Sequence, residues 1–270
     1  MKASQKPTLS VIMAVYNGMP YLKEAVDSIL AQTYGNFEFI IIDDASIDRS
    51  WNYLKSIKDK RLILLRNKKN CGLAGSLNKI LKQAKGNFIA RMDADDISLP
   101  KRLEIQLNFM KRNPDVDLCG TWVDKINGKG QIVGDWKPAT SDKSIKRYLG
   151  WHTAVIHPTF FAKAKFFKLL NYYDPKFDYA EDYELLMRAR KRFKMANIPQ
   201  KLLKWRLWDN RRSRLSWEKM EKVDFEIKRQ AYKRGDFGKR YIIILGAKYF
   251  ITYMIPYGLK FKTFQLLKVI

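Results

Sequence analysis

Four short runs of apolar and β-branched residues punctuate the N-terminal part of the chain: Leu9–Val15, Phe37–Asp43, Leu62–Arg66 and Phe88–Met92. The first two are apolar on both alternating faces, the pattern of strands covered by helices on each side. Between these runs the period lengthens to that of a helix, over Tyr21–Ala31, Asp48–Ile57 and Leu73–Ala84. In the last of these, Leu73, Leu77, Ile80, Leu81 and Ala84 fall on one stripe. Strand and helix alternating at this spacing predict right-handed βαβ units and an open, mainly parallel α/β sheet flanked by helices. Lys101–Asn113 adds a further helix, ended by Pro114.

Past that point the rhythm changes. Val116–Asp124 and Gln131–Trp136 flank Asn127-Gly128-Lys129-Gly130, a hairpin signature. Val155–Phe161 reads as another strand, Glu181–Arg190 as a helix and Leu202–Leu207 as a last short strand. Ser216–Arg234 is a charged helix, followed beyond Gly235 by an apolar segment, Tyr241–Tyr257. The expected organisation is one α/β domain over residues 1–215, with halves over about 1–115 and 116–215. Residues 216–270 are expected to form a basic, amphipathic helical C-terminal extension.

At 270 residues and 31.8 kDa, with 46% hydrophobic residues, the chain can bury a full core without a disulfide or metal staple. Cys71 and Cys119 are too few for a disulfide framework. With His152 and His157 as the only histidines, a four-ligand zinc site is not expected either. A reduced, cytoplasmic setting follows. The apolar run from Leu9 to Tyr16 leads into the turn Asn17-Gly18-Met19-Pro20 with no small-residue cleavage site, so a buried strand is expected there. No stretch is long and apolar enough to require a spanning helix.

Charge alters the picture more. The net charge is +25, and residues 186–270 hold 23 lysines and arginines against 6 acidic residues, leaving 29 against 21 upstream. Such a block attracts polyanions, and nucleic acid and anionic lipid are the two candidates.

The chemistry-bearing residues are acidic. Ligands of a doubly wound sheet bind at the carboxyl ends of its strands. Asp43-Asp44 closes the second predicted strand and Asp93-Ala94-Asp95-Asp96 the fourth. Acidic residues favour loops in any protein, so one cluster alone says little; two at the same edge of one sheet point to a site. No glycine-rich phosphate loop follows the first strand. Carboxylates repel a diphosphate unless a divalent cation stands between them, and hard oxygen ligands suit Mg²⁺ or Mn²⁺. A third acidic pair, Glu181-Asp182, opens a helix, where the macrodipole favours an anion. Acidic residues are common in any first helical turn, so position alone leaves that pair's role open.

Several motifs recur in a fixed order: Ser10-Val11-Ile12-Met13-Ala14-Val15-Tyr16-Asn17, Ser28-Ile29-Leu30-Ala31-Gln32-Thr33-Tyr34 and Ile42-Asp43-Asp44-Ala45-Ser46. Asn70-Cys71-Gly72-Leu73-Ala74 with Asn78, Met92-Asp93-Ala94-Asp95-Asp96, Pro100-Lys101-Arg102-Leu103 and Ala180-Glu181-Asp182-Tyr183-Glu184-Leu185 follow. Over roughly residues 7–210 this set resembles the family 2 glycosyltransferases, which have the nucleotide-binding GT-A fold. The resemblance implies an inverting enzyme that moves a single sugar from a nucleotide-sugar donor, with UDP expected. The acceptor would be a glycan or lipid-linked molecule of surface-polysaccharide or lipopolysaccharide type. Residues 1–115 would then bind the donor and 116–215 the acceptor.

By the same resemblance, Ala14 and Ala94 belong to the donor-nucleotide site, Tyr16 lies against the nucleobase and Asp44 accepts a hydrogen bond from it. Asp93 faces the ribose, and Asp95 binds the Mn²⁺ or Mg²⁺ that bridges the diphosphate. Asp96 either joins that site or caps the turn before Pro100. Asp182 is expected to act as the base that takes the proton of the attacking hydroxyl, with Glu181 beside it. Similar family members carry a histidine at His157, although a lone histidine is also a common hydrogen-bonded core residue. At Trp205-Arg206-Leu207-Trp208 many relatives show Arg-x-His, whose histidine can approach the metal or diphosphate. Trp208 cannot ligate a cation; Arg206 is expected to steady a donor phosphate. The Gln-x-x-Arg-Trp signature of processive synthases is absent, which favours single transfers.

The C-terminal block combines apolar area, aromatics and flanking cations as interfacial helices do, and a helix packed onto the domain is the alternative. The expected location is the cytoplasmic, inner face of a membrane, held peripherally to an anionic surface. Two other readings remain: an inactive transferase-like membrane partner, against which intact Asp95 and Asp182 speak, and a basic nucleic-acid-binding protein. The latter gives no reason for carboxylates at strand ends, so nucleic acid is not expected as a partner.

Overall fold

The computed structural model describes residues 7–208 and 217–238, together with Tyr241 and Gly246. The chain divides into two compact units at Trp217/Glu218. The first is a three-layer α/β unit. Strands β1 (Leu9–Val15), β2 (Phe37–Asp43), β3 (Leu62–Arg66) and β4 (Phe88–Arg91) lie in the order β3-β2-β1-β4, all parallel. They alternate with helices α1 (Leu22–Leu30), α2 (Ser50–Ser56) and α3 (Gly72–Gln83). β2 is buried at every position, and β1 at all but Ala14, because helices cover both faces of the central strands.

Beyond β4 come β5 (Ile97–Ser98), α4 (Arg102–Arg112), β6 (Leu118–Ile126) and β7 (Ile132–Trp136). α5 (Asp142–Tyr148), β8 (Phe161–Lys163), α6 (Ala164–Leu169), α7 (Glu181–Ala189) and β9 (Met195–Arg206) complete the unit. The sheet continues from β4 through β8, β6 and β9 to β5, with β7 on β6 as a hairpin partner. Here the pairing is mixed: β8 runs antiparallel to β4 and β6, while β6 and β9 are parallel. The second unit is described through α8 (Trp217–Lys233).

The expected strand over Val155–Phe161 is shorter and later than the pattern suggests. His157–Thr159 forms a 3₁₀ turn and pairing begins at Phe161, since Pro158 has no N–H for a ladder. Conversely, the last strand is longer than the expected Leu202–Leu207. It passes Pro199 because the β6–β9 register jumps from Thr121↔Ile198 to Trp122↔Lys201, setting Pro199 and Gln200 out of the ladder. α5 was not expected from periodicity; its signal is Ser141, whose Oγ caps Ser144 N at 3.3 Å. The expected apolar segment Tyr241–Tyr257 lies outside the described residues apart from Tyr241 and Gly246. Among the described residues no helix is long and apolar enough to cross a membrane.

Polar residues in the interior tie the site edge to its support. Gln32 at the end of α1 donates to Leu99 O (2.8 Å) and accepts from Leu103 N (3.0 Å). Arg102, fully buried, donates to Arg91 O (2.5 Å) and Gln106 Oε1 (3.0 Å), and Gln106 donates to Thr159 O (2.8 Å). One buried column therefore joins the end of β4, α4 and the 157–159 turn. Its hydrogen bonds offset the desolvation of the groups in it.

Candidate active site

Register sets the carboxyl ends of three strands side by side: Val15 pairs with Asp43, and Ile12 with Arg91. Tyr16, the first residue past β1, is half exposed, while Ala14 is partly buried within the strand. Asp43 is occupied with the turn, accepting from Ser46 N (3.2 Å) and Arg66 Nε (3.1 Å). Asp44 is buried. Its Oδ1 accepts from Asn67 Nδ2 (2.6 Å) and Cys71 N (2.8 Å), which anchors it to the start of α3.

The loop after β4 gathers the other acids. Carboxylate oxygens of Asp93, Asp95 and Asp96 all lie within 4.8 Å of one another. Asp93 is clamped by both terminal nitrogens of Arg91, one of them at 2.6 Å to Oδ2. Asp95 Oδ2 accepts from Trp208 Nε1 at 2.9 Å. Burial first, and then the charge of Asp93, push the Asp95 carboxyl up to about 6, against the pull of the Trp208 N–H. Asp96 is buried; its Oδ1 accepts from Arg206 N (2.8 Å) and its Oδ2 has no partner among the described residues. Burial, followed by the charges of Asp95 and Asp93, raises its carboxyl well above the usual range. A buried carboxylate oxygen without a donor, inside a cluster of like charges, is a set that a hard divalent cation fits.

Arg206 is the last residue of β9. Its guanidinium is buried, with Nε donating to Asp95 O (2.7 Å) and Nη1 to Asn127 O (3.3 Å) and Gly128 O (3.4 Å). Nη2 pairs with Glu24, and the group lies 4.4 Å over the Tyr21 ring. In this arrangement Arg206 binds the carboxylate loop to the β6–β7 hairpin.

Across Arg91 lies the start of α7. His157 Nε2 shares a hydrogen with Tyr173 Oη at 2.8 Å, and its Nδ1 is 3.7 Å from Glu181 Oε1. Glu181 Oε2 accepts from Tyr179 N (3.0 Å). Ligand atoms of His157, Glu181 and Asp182 also fall within 4.8 Å of one another. Burial raises the Asp182 carboxyl, partly offset by the Tyr183 N–H and the Arg91 charge. His157 thus supports Glu181 beside Asp182.

Arg91 is the residue that the sequence pattern did not single out. A charged residue in the otherwise apolar Phe88–Met92 run, two positions before an aspartate, was the available signal. Asn67 carried no comparable mark, because its partner Asp44 is distant in sequence and adjacent only through the sheet.

The Glycosyl transferase family 2 profile matches residues 10–169. The chain belongs to that family. This family 2 glycosyltransferase is 40% identical over 224 residues to an uncharacterised glycosyltransferase of Methanocaldococcus jannaschii, covering 81% of this chain and 77% of that one. It is 31% identical over 263 residues to the UDP-Glc:alpha-D-GlcNAc-diphosphoundecaprenol beta-1,3-glucosyltransferase WfgD of Escherichia coli, covering 95% and 96%. Two solved structures share its GT-A fold. One is TarS 1-349 of S. aureus in complex with UDP-GlcNAc (TM-score 0.64, 21% identity, 82% of this chain and 65% of that one). The other is the mannosyltransferase PcManGT of Pyrobaculum calidifontis with GDP-Man and Mn²⁺ (TM-score 0.60, 19% identity, 92% and 70%).

Replacing Arg91 with leucine should leave Asp93 and its neighbours without their buried countercharge. The expected loss is about 3 kcal/mol, the lower end for breaking such a pair because Asp93 is partly exposed. Urea denaturation of Arg91→Leu against wild type checks this.

Proposed function

We propose that this enzyme transfers a single sugar, with inversion, from a UDP-sugar to a lipid-linked acceptor. The observation that carries the reading is the placement of two acidic groups around one buried arginine: Asp93, Asp95 and Asp96 after β4, and Glu181 and Asp182 at the start of α7. The near full-length match to the diphosphoundecaprenol-directed glucosyltransferase supports the donor nucleotide and the class of acceptor.

On this reading Tyr16 and Ala14 receive the nucleobase, and Asp44 accepts its hydrogen bond through the oxygen that Asn67 and Cys71 leave available. Asp93, held by Arg91, faces the ribose with Ala94. A divalent cation, Mn²⁺ or Mg²⁺, held by Asp95 with Asp96 adjoining, would neutralise charge on the departing diphosphate. Arg206 keeps Asp95 and Asp96 in place. Asp182 accepts the acceptor hydroxyl's proton as its oxygen attacks the anomeric carbon and the bond to the diphosphate breaks, the electron pair leaving with the diphosphate. Glu181 and His157 orient that carboxylate.

The excess of cations in residues 186–270 supports peripheral attachment at the cytoplasmic face of an anionic membrane, where such an acceptor resides. Each engaged lysine or arginine contributes about 1 kcal/mol, so a few suffice for attachment.

Three outcomes are expected. UDP should bind in calorimetry with Mn²⁺ or Mg²⁺ present and not with EDTA; equal affinity in both would remove the cation from the mechanism. Asp182→Asn should retain donor binding while turnover falls by roughly 10²- to 10⁴-fold, the usual contribution of a positioned base. In co-sedimentation, the full chain should pellet with anionic vesicles and be released only in part by high salt. A chain that ignores such vesicles is not held to membranes by its basic block.

A further inference from the structure

At the end of β9 and just beyond it, one short segment grips the carboxylate loop at three points. The Trp208 indole N–H donates to Asp95 Oδ2 (2.9 Å), Arg206 Nε donates to Asp95 O (2.7 Å), and Arg206 N donates to Asp96 Oδ1 (2.8 Å). The Trp208 ring meets the edge of Tyr21 with centroids 5.5 Å apart, and Tyr21 in turn lies under the Arg206 guanidinium. The indole is thereby fixed by packing as well as by its hydrogen bond. Both the main chain and the side chain of Asp95 are held, and the indole can serve its carboxylate only as a donor, since it has no lone pair for a cation.

We propose that Trp208 determines which divalent cation Asp95 accepts. The inference rests on the reading of Asp95 as the cation-binding carboxylate. With Oδ2 accepting from the indole, Oδ1 is the oxygen Asp95 offers without competition, and chelation through both oxygens has to compete with the indole N–H for Oδ2. One-oxygen carboxylate ligation suits small octahedral cations that complete their shells with phosphate and water. Ca²⁺ is larger, takes more oxygens and gains from carboxylates that bind through both. Trp208 therefore favours Mg²⁺ and Mn²⁺ over Ca²⁺ by withholding the second oxygen. It is a positioning residue, acting through Asp95.

Trp208→Phe keeps an aromatic ring against Tyr21 and removes the N–H. Titration of Mn²⁺, Mg²⁺ and Ca²⁺ into the full chain with excess UDP reads each affinity by calorimetry. Wild type should rank Mn²⁺ and Mg²⁺ above Ca²⁺. In the variant, Ca²⁺ should tighten and the Mn²⁺-to-Ca²⁺ affinity ratio fall by roughly tenfold, the usual reach of groups that orient metal ligands. An unchanged ratio overturns the proposal and leaves the cation site standing. No cation binding in wild type overturns the proposal together with the reading of Asp95 beneath it. Should the variant not fold, nitrogen-edited NMR of the wild type decides. The indole N–H that Mn²⁺ broadens most should keep its shift and slow solvent exchange with Mg²⁺ and UDP bound. A move to the position of an exposed indole means that Oδ2 has been released, and the proposal falls.

Discussion

The acids at the carboxyl edge of the sheet share so small a volume because Arg91 is buried among them. Its clamp on Asp93 is the short-range part of the effect. The longer-range part reaches Asp95, Asp96 and Asp182, whose carboxyls its charge holds lower than burial alone would. A guanidinium suits this position because it stays charged where an ammonium could lose its proton, and its planar fork matches a carboxylate at two points. The structure places that charge by backbone means: Arg91 N donates to Phe160 O at 2.8 Å, and its carbonyl is taken by Arg102.

From that point the site is assembled by long-range polar ties rather than by the loops themselves. Asn78 on α3 exchanges two hydrogen bonds with the Tyr173 backbone, at 2.8 and 3.0 Å, and so joins the helix beside Asp44 to the segment leading into α7. Tyr173 passes the tie to His157, and His157 lies against Glu181. Gly72 belongs to the same junction. It has φ +74°, and a Cβ there would approach the Asp178 carboxylate to 3.2 Å. On the opposite side Arg206 binds the carboxylate loop to the β6–β7 hairpin and to Glu24 of α1. Asp44, Asp95 and Asp96 are each held by a residue from another part of the chain. Support of this kind fixes side chains within a narrow geometry, as group transfer requires of the residues that carry it.

How much of this was legible in advance differs by residue. Asp44, Asp93, Asp95 and Asp182 stood out because acids at the ends of apolar strands, or at a helix start, break a regular pattern. The family resemblance supplied their expected roles. Arg206 was noticed, but nothing in the sequence signalled that its guanidinium is engaged by three backbone carbonyls and Glu24. For Trp208 the sequence said only what an indole cannot do. That it donates to Asp95 depends on where β9 ends in space.

The sequence by itself determined the parallel βαβ half, since hydrophobic period and strand-end acids are local signals that read the same in any context. It also determined the family, through motifs whose order and spacing survive without coordinates. Only the tertiary structure decided the mixed half of the sheet, where Pro158 delays one strand and a register jump carries another past Pro199. It alone decided which acid is clamped, which is capped by an indole and which two, Asp43 and Asp96, keep a buried oxygen without a donor among the described residues. Those outcomes depend on partners between two and more than a hundred positions away, as in Arg91 with Asp93 and Trp208 with Asp95. Hydrogen bonding and desolvation act on distances in space, and the chain reveals those only once it has folded.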